Sequence, residues 1–551
     1  MTKIIYNGKI YRGRGLFCGA LRIDGGKISA AGEAEELLAA APAGAEKIDA
    51  GGALVLPGFH DSHLHLHWLG RRFGMVEGTG AASVEEVIRR GRELISRLKP
   101  APGTYVQGAG VNPDLFTGEK RDLTRDDLDK ISTEHPVIIS RHCGHTIFCN
   151  SLALRMAGLA DSAPDVEGGT IEKDSSGRPT GVLRENANGL ARKNIPEPTK
   201  AQMKENMKRA MEKALSLGIT SMGTNDCQGP DFDDVVEVYR SIFTDGEKDS
   251  GTGSFLRITL QCGISAKEQY LNELKERQIA TGKVLWESAD RGIFLRMGPV
   301  KLFMDGTLGG QTAWMKQPYR DKPETSGFPV LDPGLLEALI KKAAAWGYQV
   351  VVHSIGDAAM EAVISAMEQV TSAGSNPLRH GIVHCQVTSR PQLERIARNR
   401  LLALVQPIFL ADDVYILEDR VGPELAATSY AWGSMERLGI DVSYGTDAPV
   451  SNLDPIQGIS WAVTRQDPQR DFYPPGGFYP GERVDMAAAI DRYTAASAYS
   501  AWEESSRGRI APGCWADLSF IDRDLFSLPP TEIHRARVIR TMIAGDTVWQ
   551  V

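Results

Sequence analysis

The 551-residue chain has no apolar run long enough to span a bilayer, so no transmembrane helix is expected. Its seven cysteines, at 18, 143, 149, 227, 262, 385 and 514, are odd in number and form no C-x-x-C pair. That spacing argues against a disulfide framework and against a zinc ribbon. The opening residues, MTKIIYNGKIYRGRG, lack the apolar core and cleavage site of a signal peptide. Positive charge is not in excess either: 62 Lys and Arg stand against 70 Asp and Glu, a net charge of −8 that argues against a general nucleic-acid binder. These absences predict a soluble cytoplasmic enzyme with neither nucleic acid nor membrane as a partner. The length exceeds what a single small core supports and suits a large barrel with appendages.

Histidine, by contrast, is concentrated. LVLPGFHDSHLHLHWLG places four histidines within eight positions, at 60, 63, 65 and 67. If the segment is a strand, alternate side chains share a face. Asp61, His63, His65 and His67 then point one way and His60 the other. The apolar run 53–56 precedes this segment, and Pro57-Gly58 bends it. The pattern predicts an H-x-H metal site formed by His63 and His65 at a strand mouth, with His67 at the rim and His60 structural.

Short alternating strands broken by N-G, G-R-G and D-G-G open the chain, and GCWADLSFIDRD and ARVIRTMIAGDTVWQV repeat that texture at its end. Neither piece buries a core alone, so the two are expected to form one small β domain. Between them, apolar strands at 53–65, 218–226, 255–263, 300–306, 348–357, 381–386, 401–407 and 439–449 alternate with amphipathic stretches such as GLLEALIKKAAAWG. Eight such units predict an α/β fold, a TIM-like (β/α)8 barrel. The long gap after the first strand predicts a large insertion at about 70–200, set over the barrel mouth as a lid or binding region. The expected domains are 1–52 and 508–551 as the two parts of the small β domain, and 53–507 as the barrel with its insertion.

Polar residues fall where such barrels carry chemistry. Lys301 interrupts VKLFMDG, His353 lies in VVVHSIGD, His384 in GIVHCQ and Asp447 in DVSYGTDAP. Singly, each has a plain reading: a hydrogen-bonded core histidine, or an aspartate starting a turn. A buried lysine is costly unless paired, neutral or modified. Together, at successive strand ends, they point to a site.

PGFHDSHLH, the lysine on the fourth strand, single histidines on the fifth and sixth, and an aspartate on the eighth resemble the amidohydrolase superfamily. GHTIFCNSLALRMAG, GGTIEKDSSGRPTGVLRENA, VKLFMDGTLGGQTA and YGTDAPV resemble its long-insertion branch, which includes N-substituted formamide deformylases. The resemblance implies two divalent ions, expected as zinc. His63, His65 and Asp447 would hold the more buried ion, His353 and His384 the second, with carbamylated Lys301 bridging them. Asp447 would then act as general acid and base in hydrolysis of a non-peptide C–N bond. The substrate would be a small amide-type molecule: an N-substituted formamide, an N-acyl amine, a cyclic amide or a carbamate. His142, His145, Glu185 and Gln311 are the candidate substrate contacts, and a homodimer is compatible with the terminal β domain. Three alternatives stay open. A mononuclear deaminase-type hydrolase would leave Lys301 unmodified, although no H-x-x-E follows His353. A catalytically silent barrel would serve as a binding scaffold, although no ligand position is lost. A cysteine-ligand hydrolase would rest on Cys385.

Overall fold

The computed structural model describes the chain except residues 142–144, 160–163, 165, 249–255, 265–266, 289–290 and 469–475. Eight parallel strands form the barrel sheet in chain order: Phe59–Leu64, Ile219–Cys227, Arg257–Gly263, Phe294–Phe303, Val350–Ser354, Gly381–His384, Leu402–Val405 and Val442–Tyr444. Each overlaps a predicted segment, although the fourth begins six residues before the expected 300–306. Their sequences are rich in Val, Ile and Leu and are buried almost throughout, as a sheet covered on both faces requires. Two backbone hydrogen bonds join the first strand to the chain beyond the eighth: Asp447 N–H donates to His63 O at 2.8 Å, and His65 N–H donates to Ala448 O at 2.9 Å.

The stretch expected as one strand over 53–65 is two strands. Leu54–Pro57 pairs in parallel with Lys9–Gly13 and antiparallel with Leu518–Ile521, within a six-stranded sheet drawn from both chain ends. At Gly58 the chain passes to the barrel. A Cβ there would lie 2.3 Å from the Thr220 hydroxyl, so the crossing leaves room only for glycine. A four-stranded sheet of N-terminal strands completes this β region, and Ile5, Ile10, Leu21, Val55, Phe520 and Met542 are buried in its core.

By compactness the chain divides into two units, Met1–Leu66 with Ala210–Val551, and His67–Arg209. The second unit has its own six-stranded sheet and a core that includes Val76, Val87, Val137 and Phe148. GTIEK and PTGVLRE form a hairpin, Gly169–Lys173 against Pro179–Glu185. Its turn is closed by Asp174, whose carboxylate accepts the Ser176 and Arg178 amides at 2.9 and 3.0 Å. Among the described residues, no helix is long and apolar enough to cross a membrane.

Candidate metal centre

The first strand ends at Leu64 and a helix begins at Leu66. Strand parity therefore holds for Asp61 and His63 but does not extend to His67, which lies in the helix Leu66–Phe73. His65 sits at the break, half-buried. Asp61 is fully buried and ties the strand to the loop that carries Asp447. Its carboxylate accepts the Thr446 hydroxyl at 2.5 Å, the Thr446 amide at 3.1 Å and the His63 amide at 3.1 Å. Burial pushes that carboxyl up to about 7 despite these donors. Gly445 allows the close approach, since a Cβ there would lie 2.7 Å from the His63 nitrogen. Asp447 is held at φ 56°, a left-handed conformation that surrounding hydrogen bonds must sustain.

Ligand atoms of His63, His384 and Asp447 lie within 4.8 Å of one another, and all three residues are buried. Asp447 Oδ1 stands 3.4 Å from His63 Nε2 and 3.2 Å from His65 Nε2. His63 Nδ1 lies 2.5 Å from Gln261 Oε1, His65 Nδ1 lies 3.0 Å from the Asn225 carbonyl, and His384 Nδ1 lies 2.8 Å from Gln406 Oε1. Those oxygens only accept, so each Nδ1 carries the hydrogen, and the neutral rings of His63 and His384 keep a lone pair on Nε2. Burial pulls His65 down, but Asp447 beside it outweighs that and raises it. The His63 lone pair then faces a carboxylate oxygen that makes no hydrogen bond among the described residues. Such a cluster calls for a cation between its members, so the donor set fits a divalent ion. Burial, and then the neighbouring basic groups, hold His63 and His384 well below the usual imidazole range, which keeps both rings neutral and able to coordinate. Phe409 stacks on His384 with ring centres 5.6 Å apart.

This arrangement corrects the expectation of two zinc ions bridged by carbamylated Lys301. Among the described residues one group of His, Cys, Asp or Glu ligand atoms converges, His63, His384 and Asp447, and His353 is not part of it. Register explains part of the difference. Lys301 is level with Val351, whereas His353 lies two residues further along the same strand, beside Phe303. The Lys301 amine has no hydrogen-bond partner among the described residues and sits 3.8 Å from the Phe303 ring centre. Burial lowers it to about 7. His353 is close to His384, with ring centres 4.4 Å apart, but its Nε2 donates to the Gly306 carbonyl at 2.9 Å. Its hydrogen is therefore on Nε2, opposite to the other three rings. Asp305 backs this corner, accepting amides from Trp314, Ile355 and Gly356 at 2.8–3.0 Å, with Oδ1 3.6 Å from His353 Nε2.

The remaining candidates are scattered. His142 lies outside the described residues. His145 and Glu185 are exposed in the second unit and meet each other, Nδ1 to Oε2 at 3.0 Å. The Gln311 side chain donates to Asp321 at 2.9 Å in the loop after the fourth strand. Cys385 is buried and its thiol is pushed up to about 12, which disfavours a thiolate ligand. Arg465 is buried over Trp432 and donates to the Phe478 and Tyr430 carbonyls. The residues missed by sequence reasoning are Asp61 as a tether, Gln261, Gln406 and Asp305. The one available signal was a lone glutamine closing each of two apolar strands, TLQCG and LLALVQP.

Comparison with known proteins agrees with this geometry. The model of the amidohydrolase family matches residues 46–549. The chain is 32% identical over 512 residues to the putative amidohydrolase YtcJ of Bacillus subtilis, covering 92% of this chain and 90% of that one. It is 25% identical over 536 residues to the N-substituted formamide deformylase of Arthrobacter pascens, covering 96% and 94%. A crystal structure of an uncharacterized metal-dependent hydrolase from Pyrococcus furiosus superposes with a TM-score of 0.74 at 28% identity, covering 96% of this chain and all of that one. The chain belongs to the amidohydrolase family and is a hydrolase of that superfamily.

Proposed function

We propose that the protein is a mononuclear metal-dependent hydrolase that cleaves a non-peptide C–N bond in a small amide-type molecule. The carrying observation is the buried Asp447 Oδ1, left without a hydrogen bond among the described residues and faced by the Nε2 atoms of His63 and His65 at 3.4 and 3.2 Å. His63, His384 and Asp447 would hold one divalent ion, and a histidine–carboxylate set suits zinc. A bound ion supplies Lewis-acid polarisation of the scissile carbonyl. The protein's own residues do the rest. Asp447 has a second carboxylate oxygen with which to take a proton from the attacking water and return it to the leaving nitrogen. Asp61 and Thr446 fix the turn that presents it, and His65 stands beside the same carboxylate, with Nε2 3.2 Å from Oδ1. Burial of the cluster keeps competing solvent away from that proton.

Similarity to the Arthrobacter deformylase makes N-substituted formamides the first substrates to assay, followed by N-acyl amines, cyclic amides and amino-substituted rings. The test begins with metal-free protein titrated with zinc and weighed for metal by elemental mass spectrometry. One ion per chain is expected, with loss in His63→Ala and in Asp447→Ala. Two ions would refute the mononuclear reading, and none would refute metal dependence altogether.

A further inference from the structure

Two buried glutamines stand directly behind the cluster, one on the third barrel strand and one just past the seventh. Gln261 and Gln406 are each 2% exposed. Each side-chain amide is anchored at its nitrogen end: Gln261 Nε2 donates to the Ser62 carbonyl at 2.9 Å, and Gln406 Nε2 donates to the Leu404 carbonyl at 3.1 Å. Turning either amide over would set oxygen against oxygen in a buried site, so the backbone carbonyl decides which end faces the ring. The end that faces the ring is Oε1, at 2.5 Å from His63 Nδ1 and 2.8 Å from His384 Nδ1.

We propose that Gln261 and Gln406 are positioning residues that select the Nδ1–H tautomer of His63 and His384, so that both rings present Nε2 to the ion. The inference rests on the metal reading above for its purpose, but the tautomers are a property of the metal-free protein. A glutamine does this without adding charge. With two neutral rings and one carboxylate, a divalent ion keeps a net charge of +1 and with it its power to polarise a substrate. A carboxylate at either place would set the same tautomer but remove that charge. His65 is fixed by a backbone carbonyl that no side-chain substitution removes, and His353 is fixed in the opposite tautomer by Gly306. Gln261 and Gln406 are thus the points at which this feature can be changed.

Two measurements decide it. Long-range proton–nitrogen spectra of metal-free protein carrying nitrogen-15 histidine should show His63 and His384 protonated at Nδ1. The Nε2–H form at either ring would overturn the assignment. Zinc affinity, measured by competition with a chelator, should fall about 10- to 100-fold in Gln261→Leu and in Gln406→Leu. It should return in Gln261→Glu and Gln406→Glu, whose buried carboxyl keeps one oxygen as acceptor for the ring and, protonated on the other, still donates to the backbone carbonyl. Leucine variants that bind zinc as tightly as the wild type would overturn the proposal, as would glutamate variants that fail to restore affinity while remaining folded. If the leucine variants do not fold, the wild-type spectrum and the glutamate variants still give the answer. Failure of the metal reading has a different signature: wild-type protein that binds no zinc, whichever nitrogen carries the hydrogen.

Discussion

Asp61→Asn tests whether the Asp447 turn is held in place for the metal or for the fold. The carboxylate accepts three groups, the Thr446 amide, the Thr446 hydroxyl and the His63 amide, at 2.5–3.1 Å in a fully buried position. An asparagine with its oxygen at the Oδ1 position keeps both backbone amides bonded, but its NH2 replaces the Oδ2 that accepts the Thr446 hydroxyl, so that buried hydroxyl loses its acceptor. An orphaned buried donor costs about 1–3 kcal/mol. If Asp447 needs its left-handed conformation only when an ion is held, that cost falls on the bound state, and zinc affinity drops about 5- to 150-fold at roughly 1.4 kcal/mol per decade. The assay is chelator competition on wild type and variant, with urea unfolding of both metal-free proteins alongside. Unchanged affinity with lowered stability would assign Asp61 to the fold alone and refute the tethering argument. Unchanged affinity and unchanged stability would refute the hydrogen-bond reasoning as well.

Lys301→Met should leave metal content at one ion per chain and raise the stability of the metal-free protein at neutral pH, because a buried amine is replaced by a side chain of similar length. Loss of the ion in that variant would restore Lys301 to the ligand set. Asp447→Asn should lower kcat by about 100-fold or more with a smaller effect on KM, since removing a general acid–base group typically costs 10²–10⁴ in rate. Turnover near the wild-type rate would end the proton-carrier role. Asp413 offers a pH test away from the metal. Burial raises its carboxyl to about 6, against hydrogen bonds from Tyr430 and Gln386 that pull it down. A folded-state value above the unfolded 3.8 means the native protein holds the extra proton. The contribution of Asp413 to stability is therefore complete below about pH 4 and lost as pH rises through 6, a change on the order of 3 kcal/mol. Asp413→Asn should remove that loss, so its stability relative to wild type should rise between pH 4 and pH 7 in urea unfolding. A difference that stays flat with pH would show that Asp413 does not titrate in that window.

Much of the architecture was legible because it rests on composition at short range. Buried parallel strands need continuous Val, Ile and Leu, and eight such runs stand out in the sequence whatever surrounds them. The strand read as one over 53–65 is continuous in composition, while its division at Gly58 depends on Thr220, a residue more than 150 positions away. His63 and Asp447 could be singled out for the same reason that strand ends can: polar residues closing apolar runs are conspicuous. Their geometry could not. Whether a histidine aims Nε2 or Nδ1 into a site depends on a hydrogen bond behind the ring, and for His63 that partner comes from another strand, with His384 served by Gln406. The same holds for Lys301. A lysine in an apolar strand signals something unusual, but register sets it level with Val351 and not with His353, and register is a relation between strands. Chemical modification of that amine is a further step that no residue spacing encodes. The histidine pattern thus identifies where an ion is wanted, and the amides and carbonyls behind the rings determine which nitrogen each ring presents. A single ion with its ligand rings set by neutral amides retains positive charge for substrate, whereas a bridging carbamate would have spread two charges over an additional anion. Counting the ions therefore tests more than stoichiometry: it tests whether the electrophilic strength of the site comes from one under-neutralised cation or from a pair.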